Sequence, residues 1–309
     1  MNLVAATSIP SVAVVIPTFR RPQAVRSLVA SLVAGSLVPA EILVVDNDPD
    51  GSAELAPDPV PGVKCLRWGR GLDLAGARNL GWRSSHSDLC FFIDDDNVVD
   101  QNALQTIAGF ARDPGIGLIG PVILRGDAPD IVWCAGVRRS MVTTRTTFPG
   151  RGFKLQNITE LVETDDMPDA LAIPRHVLDA IEGFDDQRFP FHYDEADLAA
   201  RIRKLGLRCV VAVQAHVYHY GFSGEDPGVE WLRATSLHGG RRAWLQARAR
   251  VFFHRRHSHG WQRAAALALF IPLWAGAVAV ACIRAPFDVK TKWLTLSWLA
   301  RGLGSGYLT

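Results

Sequence analysis

Two kinds of apolar spacing alternate along the chain, and their order predicts its architecture. Residues 12–16, "VAVVI", are an unbroken apolar run closed by Pro17, the pattern of a parallel strand buried on both faces. In the next stretch, "RRPQAVRSLVASLVAG", Val25, Leu28, Val29 and Leu32 recur at helical spacing and Gly35 stops the pattern, so a helix is expected. A second apolar run at 42–45 ends in "DNDPDGS", whose Asn, Asp, Pro and Gly are turn formers. The alternation continues with a strand near 63–66, a helix near 75–84 and the apolar run 89–93. Such an order predicts the α/β class: an open, Rossmann-like, mostly parallel sheet flanked by helices, with ligands bound beyond the carboxyl ends of its strands. Pro17, Thr18, Asp46 and Asp94 fall at such ends.

From residue 120 to 169 the periodicity weakens, and "MVTTRTTFPGRGF" reads as an irregular loop of a length that is commonly functional. Order returns with a helix at "RHVLDAIEGF" and another at "YDEADLAARIRKLG", where Leu198, Ile202 and Leu205 predict an apolar stripe and Gly206 a stop. A strand at 209–213 then leads into "HVYHYG". A boundary is expected near Gly224, dividing a catalytic-size domain, 1–224, from a helical appendage, 225–309.

Charge alters the picture in that appendage. Although the 309 residues carry a formal net charge of only +2, no Asp or Glu lies between Glu230 and Asp288. Arg233, Arg241, Arg242, Arg248, Arg250, Arg255, Arg256 and Arg263 crowd the first half of this gap, a composition that faces phosphate. Directly after them, residues 264–283 form an uncharged run about as long as a bilayer core requires, bracketed by Arg263 and Arg284. With Trp and Phe interleaved, the expected partner is an anionic membrane surface and not nucleic acid, whether the segment spans or lies in the interface. Arginine density upstream of a span would keep the preceding residues at the cytoplasmic face of the cell membrane. The N-terminal stretch lacks a positive n-region, so no cleaved signal is expected. Five scattered cysteines without a C-x-x-C pair argue against a disulfide framework or a zinc site and fit a reducing compartment.

The stretch "FFIDDDN" at 91–97 carries the strongest chemical signal. Three adjacent carboxylates repel one another and are costly to desolvate, so a cation is expected to neutralise them. In isolation the triplet reads equally well as a turn or helix N-cap. Its place at the end of a wholly apolar strand, ahead of "NVVDQNALQTI" as the expected next helix, puts it at the ligand-binding edge instead. A dinucleotide site is excluded because the first strand ends in "PTFRRP" where G-x-G-x-x-G would be required.

"VVIPTFRRP", "ILVVDNDPDGS", "AGARNLGW", "FFIDDDN", "IEGFDDQRF", "YDEADLAARIRKLG" and "HVYHYG", in this order, resemble the family 2 glycosyltransferases of the GT-A fold, particularly bacterial rhamnosyltransferase-like members, over residues 11–224. The resemblance implies a donor site in which Pro17, Thr18 and Arg20 wrap the nucleotide and Asp46 accepts from its base or ribose. Arg78 and Asn79 would lie along the nucleotide and its diphosphate; Asp94, with Asp95 beside it, would meet the ribose. Asp96, Asp94 and His219 would hold a divalent metal, Mn²⁺ or Mg²⁺. In "YDEADL", Glu195 stands where the family has its catalytic Asp and Asp194 where it has Glu; this swap leaves either as the base, with Glu195 favoured and Asp197 structural. The implied reaction is inverting transfer from a UDP-, dTDP- or GDP-sugar to a hydroxyl of a lipid-linked or cell-envelope glycan. A non-catalytic scaffold on the same fold is the competing expectation.

Overall fold

The computed structural model describes residues 9–51, 62–158, 162–221, 235–236 and 240–308, so the boundary expected at Gly224 lies outside the described residues. The chain forms two compact units, one of Met1–Arg138, Phe148–Phe184 and Leu198–Gly221, the other of Arg139–Thr147, Asp185–Asp197 and Phe222–Thr309.

In the first unit, β1 (Val12–Thr18), β2 (Glu41–Asp46), β3 (Val63–Arg67) and β4 (Leu89–Ile93) lie in the order β3-β2-β1-β4, all parallel. The apolar runs lie in the interior of the sheet, and every residue of β1 and β4 is buried. At about 1.5–3 kcal/mol for each fully buried large side chain, Phe91, Phe92 and Ile93 fix strand β4 firmly enough to hold three carboxylates at its exit. Helix α1 (Pro22–Val33) begins on proline and buries Val25, Leu28, Val29 and Leu32. Helix α2 (Leu74–Arg83) is capped by the Asp73 carboxylate and packs so closely on β1 that a Cβ at Gly81 would overlap Val15.

After β4 the structure departs from the sequence reading in ways that matter for the site. Asn97 does not start a helix; β5 (Asn97–Val99) is a short strand, and α3 follows only at Ala103–Phe110. Next, β6 (Ile116–Arg125) is a ten-residue buried strand where the periodicity weakens, with β7 (Ala128–Cys134) turned back against it. Two-residue strands β8 (Arg138–Arg139) and β9 (Thr146–Thr147) pair with each other, and β10 (Val162–Glu163) lies at the sheet edge. Strand β11 (Ala170–Pro174) inserts antiparallel between β4 and β6, helix α4 (Arg175–Ile181) follows, and helix α5 (Asp194–Lys204) leads to β12 (Arg208–His219). Leu198 and Ile202 are buried as the stripe predicts, whereas Leu205 is 50% exposed because it lies past the last turn, before the left-handed Gly206.

The second unit contains three further helices: α6 (Arg241–His257), α7 (Gly260–Arg284, with a π-helical stretch at Ala266–Phe270) and α8 (Val289–Leu308). Ala243, Ala247, Val278 and Leu299 form a small apolar cluster joined by Trp274, Trp298 and Leu303. Glycine permits close approach: a Cβ at Gly302 would overlap the Trp244 carbonyl oxygen, and one at Gly306 would lie 2.8 Å from the Val251 Cβ. Helix α7 is 25 residues long, and only 28% of its most apolar window is buried. At about 1.5 Å per residue it exceeds the roughly 30 Å of a bilayer core, so it is long and apolar enough to cross a membrane. Leu269, Leu273, Val280 and Ile283 are all exposed on it.

Candidate active site

The three aspartates behind β4 are not left facing one another: Asp94 pairs with Arg78, while Asp95 and Asp96 share Arg21. Asp94 accepts from Nη2 of the fully buried Arg78 at 3.0 Å. Asp95 turns inward, accepting from the Thr18 hydroxyl at 2.6 Å and from Arg21 Nη1 at 3.0 Å. Burial pushes the Asp95 carboxyl above the ordinary range, against the opposing pull of Thr18 and Arg21. Asp96 accepts from the same Arg21 nitrogen at 2.8 Å. Arg21, which no sequence motif singled out, is thus the guanidinium that two of the three carboxylates share.

Arg20 is committed elsewhere. With φ of 57°, it turns its guanidinium onto Asp48 at 2.7 Å and Asp50 at 2.6 Å, depressing the Asp48 carboxyl below its usual range. Asp46 accepts from the Asp48 amide at 2.9 Å, which shapes the turn after β2. Pro17 and Thr18 are the last residues of β1, paired with Val45 and Asp46. Asn79 is buried and used internally: its oxygen accepts from Phe184 N and Trp82 Nε1, and its amide donates to the Phe184 carbonyl.

His219 reaches Asp96 through strand pairing. Antiparallel β5 sets Asn97 opposite His219, and Tyr220 N donates to the Asp96 carbonyl at 2.9 Å. The His219 Nε2 then stands 3.6 Å from Asp96 and 3.7 Å from Asp169. Asp169 precedes β11, holds a left-handed φ of 62°, and accepts the Asp94 amide on its carbonyl. The imidazole stacks on Trp133, with centroids 5.0 Å apart at 17°, and Arg151 lies over both Trp133 and Phe148. A Cβ at Gly221 would lie 2.7 Å from the His219 ring and 2.9 Å from an Asp96 oxygen, so this turn requires glycine. Asp169, Trp133 and Arg151 were not singled out from sequence; an antiparallel insertion and a hairpin bring them in, and neither leaves a local motif.

Asp96 and His219 are donors of types a divalent ion can accept. Among the described residues no group of three or more His, Cys, Asp or Glu can hold a metal unaided. Asp96 and His219 supply one oxygen and one nitrogen, the partial set that hard divalent ions complete with phosphate oxygens.

Within the second unit, the first turn of α5 carries Asp194, Glu195 and Asp197. Asp194 is 1% exposed, whereas Glu195 is partly open. Asp197 is fully buried, 2.8 Å from His257 Nε2 and 3.2 Å from Arg256. Burial, with the charges of Arg242 and Arg250, holds neighbouring His192 down at about 3. Tyr193, which precedes the helix, has φ of 64° and lies under Arg139 at 4.8 Å.

An open α/β sheet whose strand exits gather Asp94, Asp95, Asp96 and a late histidine is the GT-A architecture of glycosyltransferases. Two solved structures share it: GalNAc-T7 with UDP, GalNAc and Mn²⁺ (16% identical, TM-score 0.57, 78% of this chain and 51% of that one), and the mannosyltransferase PcManGT of Pyrobaculum calidifontis with GDP-Man and Mn²⁺ (14% identical, TM-score 0.56, 98% and 88%). The sequence profile of "Glycosyl transferase family 2" matches residues 13–181, more than half of the chain. The chain belongs to glycosyl transferase family 2. It is also 28% identical over 227 residues to the O-antigen biosynthesis protein RfbC of Myxococcus xanthus, a match covering 68% of this chain and 17% of that relative's length.

Proposed function

We propose that this chain is a metal-dependent, inverting glycosyltransferase that moves a sugar from a nucleotide-sugar to a hydroxyl of a lipid-linked or cell-envelope glycan at the cytoplasmic face of a membrane. The observation that carries the reading is the convergence of Asp96 and His219 at the carboxyl edge of the sheet. Asp96 and His219 would hold the ion, with Asp94 near the ribose; bound there, it would supply charge neutralisation for the departing diphosphate. Arg78 fixes Asp94, Thr18 fixes Asp95, and Arg20 with Asp46 shapes the loop assigned to the base and ribose.

Glu195 is the favoured base. Of the two adjacent carboxylates it is the more open, and a general base has to reach the acceptor hydroxyl, whose proton it takes as the hydroxyl oxygen attacks the anomeric carbon. Attack from the side opposite the nucleotide inverts that carbon. Asp194, buried one residue earlier, orients the helix start. The GDP- and UDP-bound neighbours, the Mn²⁺ they contain and the O-antigen relative support donor class, ion and acceptor class. Helix α7 supports the membrane location.

A thermal-shift panel of UDP-, dTDP- and GDP-sugars with Mn²⁺, Mg²⁺ or EDTA tests the reading, since a ligand that binds the native state raises the melting point. One nucleotide class is expected to stabilise the wild type only with metal and to lose the effect in Asp96→Ala. Absence of stabilisation by any nucleotide under any metal condition would overturn it.

A further inference from the structure

The second unit contains a cavity of about 340 Å³ lined by Arg188, Phe252, Arg255 and Arg256. Among the described residues its positive charge is only partly neutralised. One carboxylate, Asp185, serves both Arg188 at 3.2 Å and Arg256 at 2.7 Å. Asp197, the other acid at Arg256, is shared with His257. Arg255 donates to a neutral group, the Gly306 carbonyl, at 2.7 Å. Arg248, stacked over Phe252 at 4.5 Å, donates among the described residues to the carbonyls of Gln187 and Arg188. Burial depresses the Arg248 guanidinium and the charge of Arg188 depresses it further, the mark of a locally positive field.

Guanidiniums held by carbonyls keep their charge and part of their donor fork for an outside anion, and planar forks match phosphate oxygens. The apolar wall is Phe252. At the pocket's edge the end of α8 is tied to the apolar helix, because the Tyr307 hydroxyl donates to the Leu267 carbonyl next to Gly306. Cationic forks, one aromatic wall and an adjoining exposed apolar helix are what an amphiphile with an anionic head requires.

We propose that this pocket binds the phosphoryl headgroup of a lipid, with Arg255 and Arg188 on the phosphate oxygens and Phe252 against the first carbons of the chain. The proposal deepens the membrane-facing transferase reading and rests on it for the presence of a lipid, but it names a site distinct from the donor edge.

The test uses the full chain in detergent with EDTA, which disables metal-dependent nucleotide binding. Farnesyl diphosphate, farnesol and inorganic diphosphate are titrated calorimetrically into wild type, the Arg188→Ala/Arg255→Ala double variant and Arg255→Lys. Farnesyl diphosphate is expected to bind at least about tenfold more tightly than either fragment. The double variant should lose about tenfold or more of that affinity, with Arg255→Lys intermediate. Equal binding of farnesol reduces the site to a greasy surface, equal binding of inorganic diphosphate reduces it to a free-anion site, and unchanged affinity in the double variant places binding elsewhere; each overturns the proposal. Should the double variant melt early, Arg188→Glu, at a side chain 59% exposed, decides by itself. Competition by phosphatidylglycerol but not phosphatidylcholine vesicles assigns the head to bulk anionic lipid; no competition assigns it to a diphosphate-bearing lipid. The metal-dependent nucleotide shift, measured on the same variants, stays intact whichever way this test falls, so failure here is distinguishable from failure of the transferase reading.

Discussion

The imidazole Nε2 of His219 lies 3.6 Å from the Asp96 carboxylate, and the pairing of β5 with β12 is what puts it there. His219→Ala is expected to weaken Mn²⁺ binding by at least about tenfold, as loss of a metal-site residue typically does, while leaving the fold's melting point within a few degrees. Mn²⁺ titration followed by electron paramagnetic resonance reads this directly. Unaltered Mn²⁺ affinity would remove His219 from the ion site.

Asp169 permits the backbone and carboxylate effects to be separated. Its φ of 62° suits glycine better than any residue with a Cβ. Asp169→Ala is therefore expected to destabilise the protein by about 1 kcal/mol, and Asp169→Gly to keep or raise its melting point. If the carboxylate tunes the neighbouring imidazole, both variants lose Mn²⁺ affinity equally; if only backbone shape matters, the glycine variant retains it.

For the carboxylates that begin α5, conservative amides discriminate. Glu195→Gln is expected to lower turnover by about 10²–10⁴-fold while nucleotide-induced stabilisation persists. Asp194→Asn, at a buried position, should instead lower the melting point, with any rate loss following the folded fraction. The reverse pattern would move the base to Asp194.

Two histidines, His254 buried and His192 partly so, predict an acid limb in stability. Burial first, and arginine neighbours second, hold His192 and His254 down at about 3. The unfolded chain takes up these protons below about pH 6.5, whereas the folded one does not until far lower. Their contribution is complete above 6.5 and is lost as pH falls from there toward 3, at no more than about 1.4 kcal/mol per pH unit for each. Melting curves from pH 7.5 to 5 should show the decline, and His254→Gln, which keeps a partner for Ser258, should flatten it.

The elements that sequence reveals best are those with one dominant environment. Strands β1 and β4 are apolar throughout because both faces are covered, and α1 shows its buried stripe at helical spacing. Strand β6 is hidden because Gly120 and Pro121 interrupt it, and a proline argues against a central strand. It is tolerated because Pro121 pairs with Ala212 right where β12 shifts register. The site divides in the same way. Asp94 to Asp96 announce themselves in a row, but Arg21 and Arg20 are adjacent arginines whose duties depend on one left-handed φ, and Asp169 acquires its place only from β11 lying against β4.

Asp197 has a practical consequence for anyone wishing to shorten this chain. Its partners, His257 and Arg256, sit at the far end of α6, immediately before the apolar helix. Clipping the tail ahead of α6 to gain solubility would strip a fully buried carboxylate of the Arg256 cation and of its His257 partner, a loss that typically costs about 3–5 kcal/mol, in the very turn that presents Glu195. A fragment ending at the sheet would be expected to emerge with its acidic helix start unravelled.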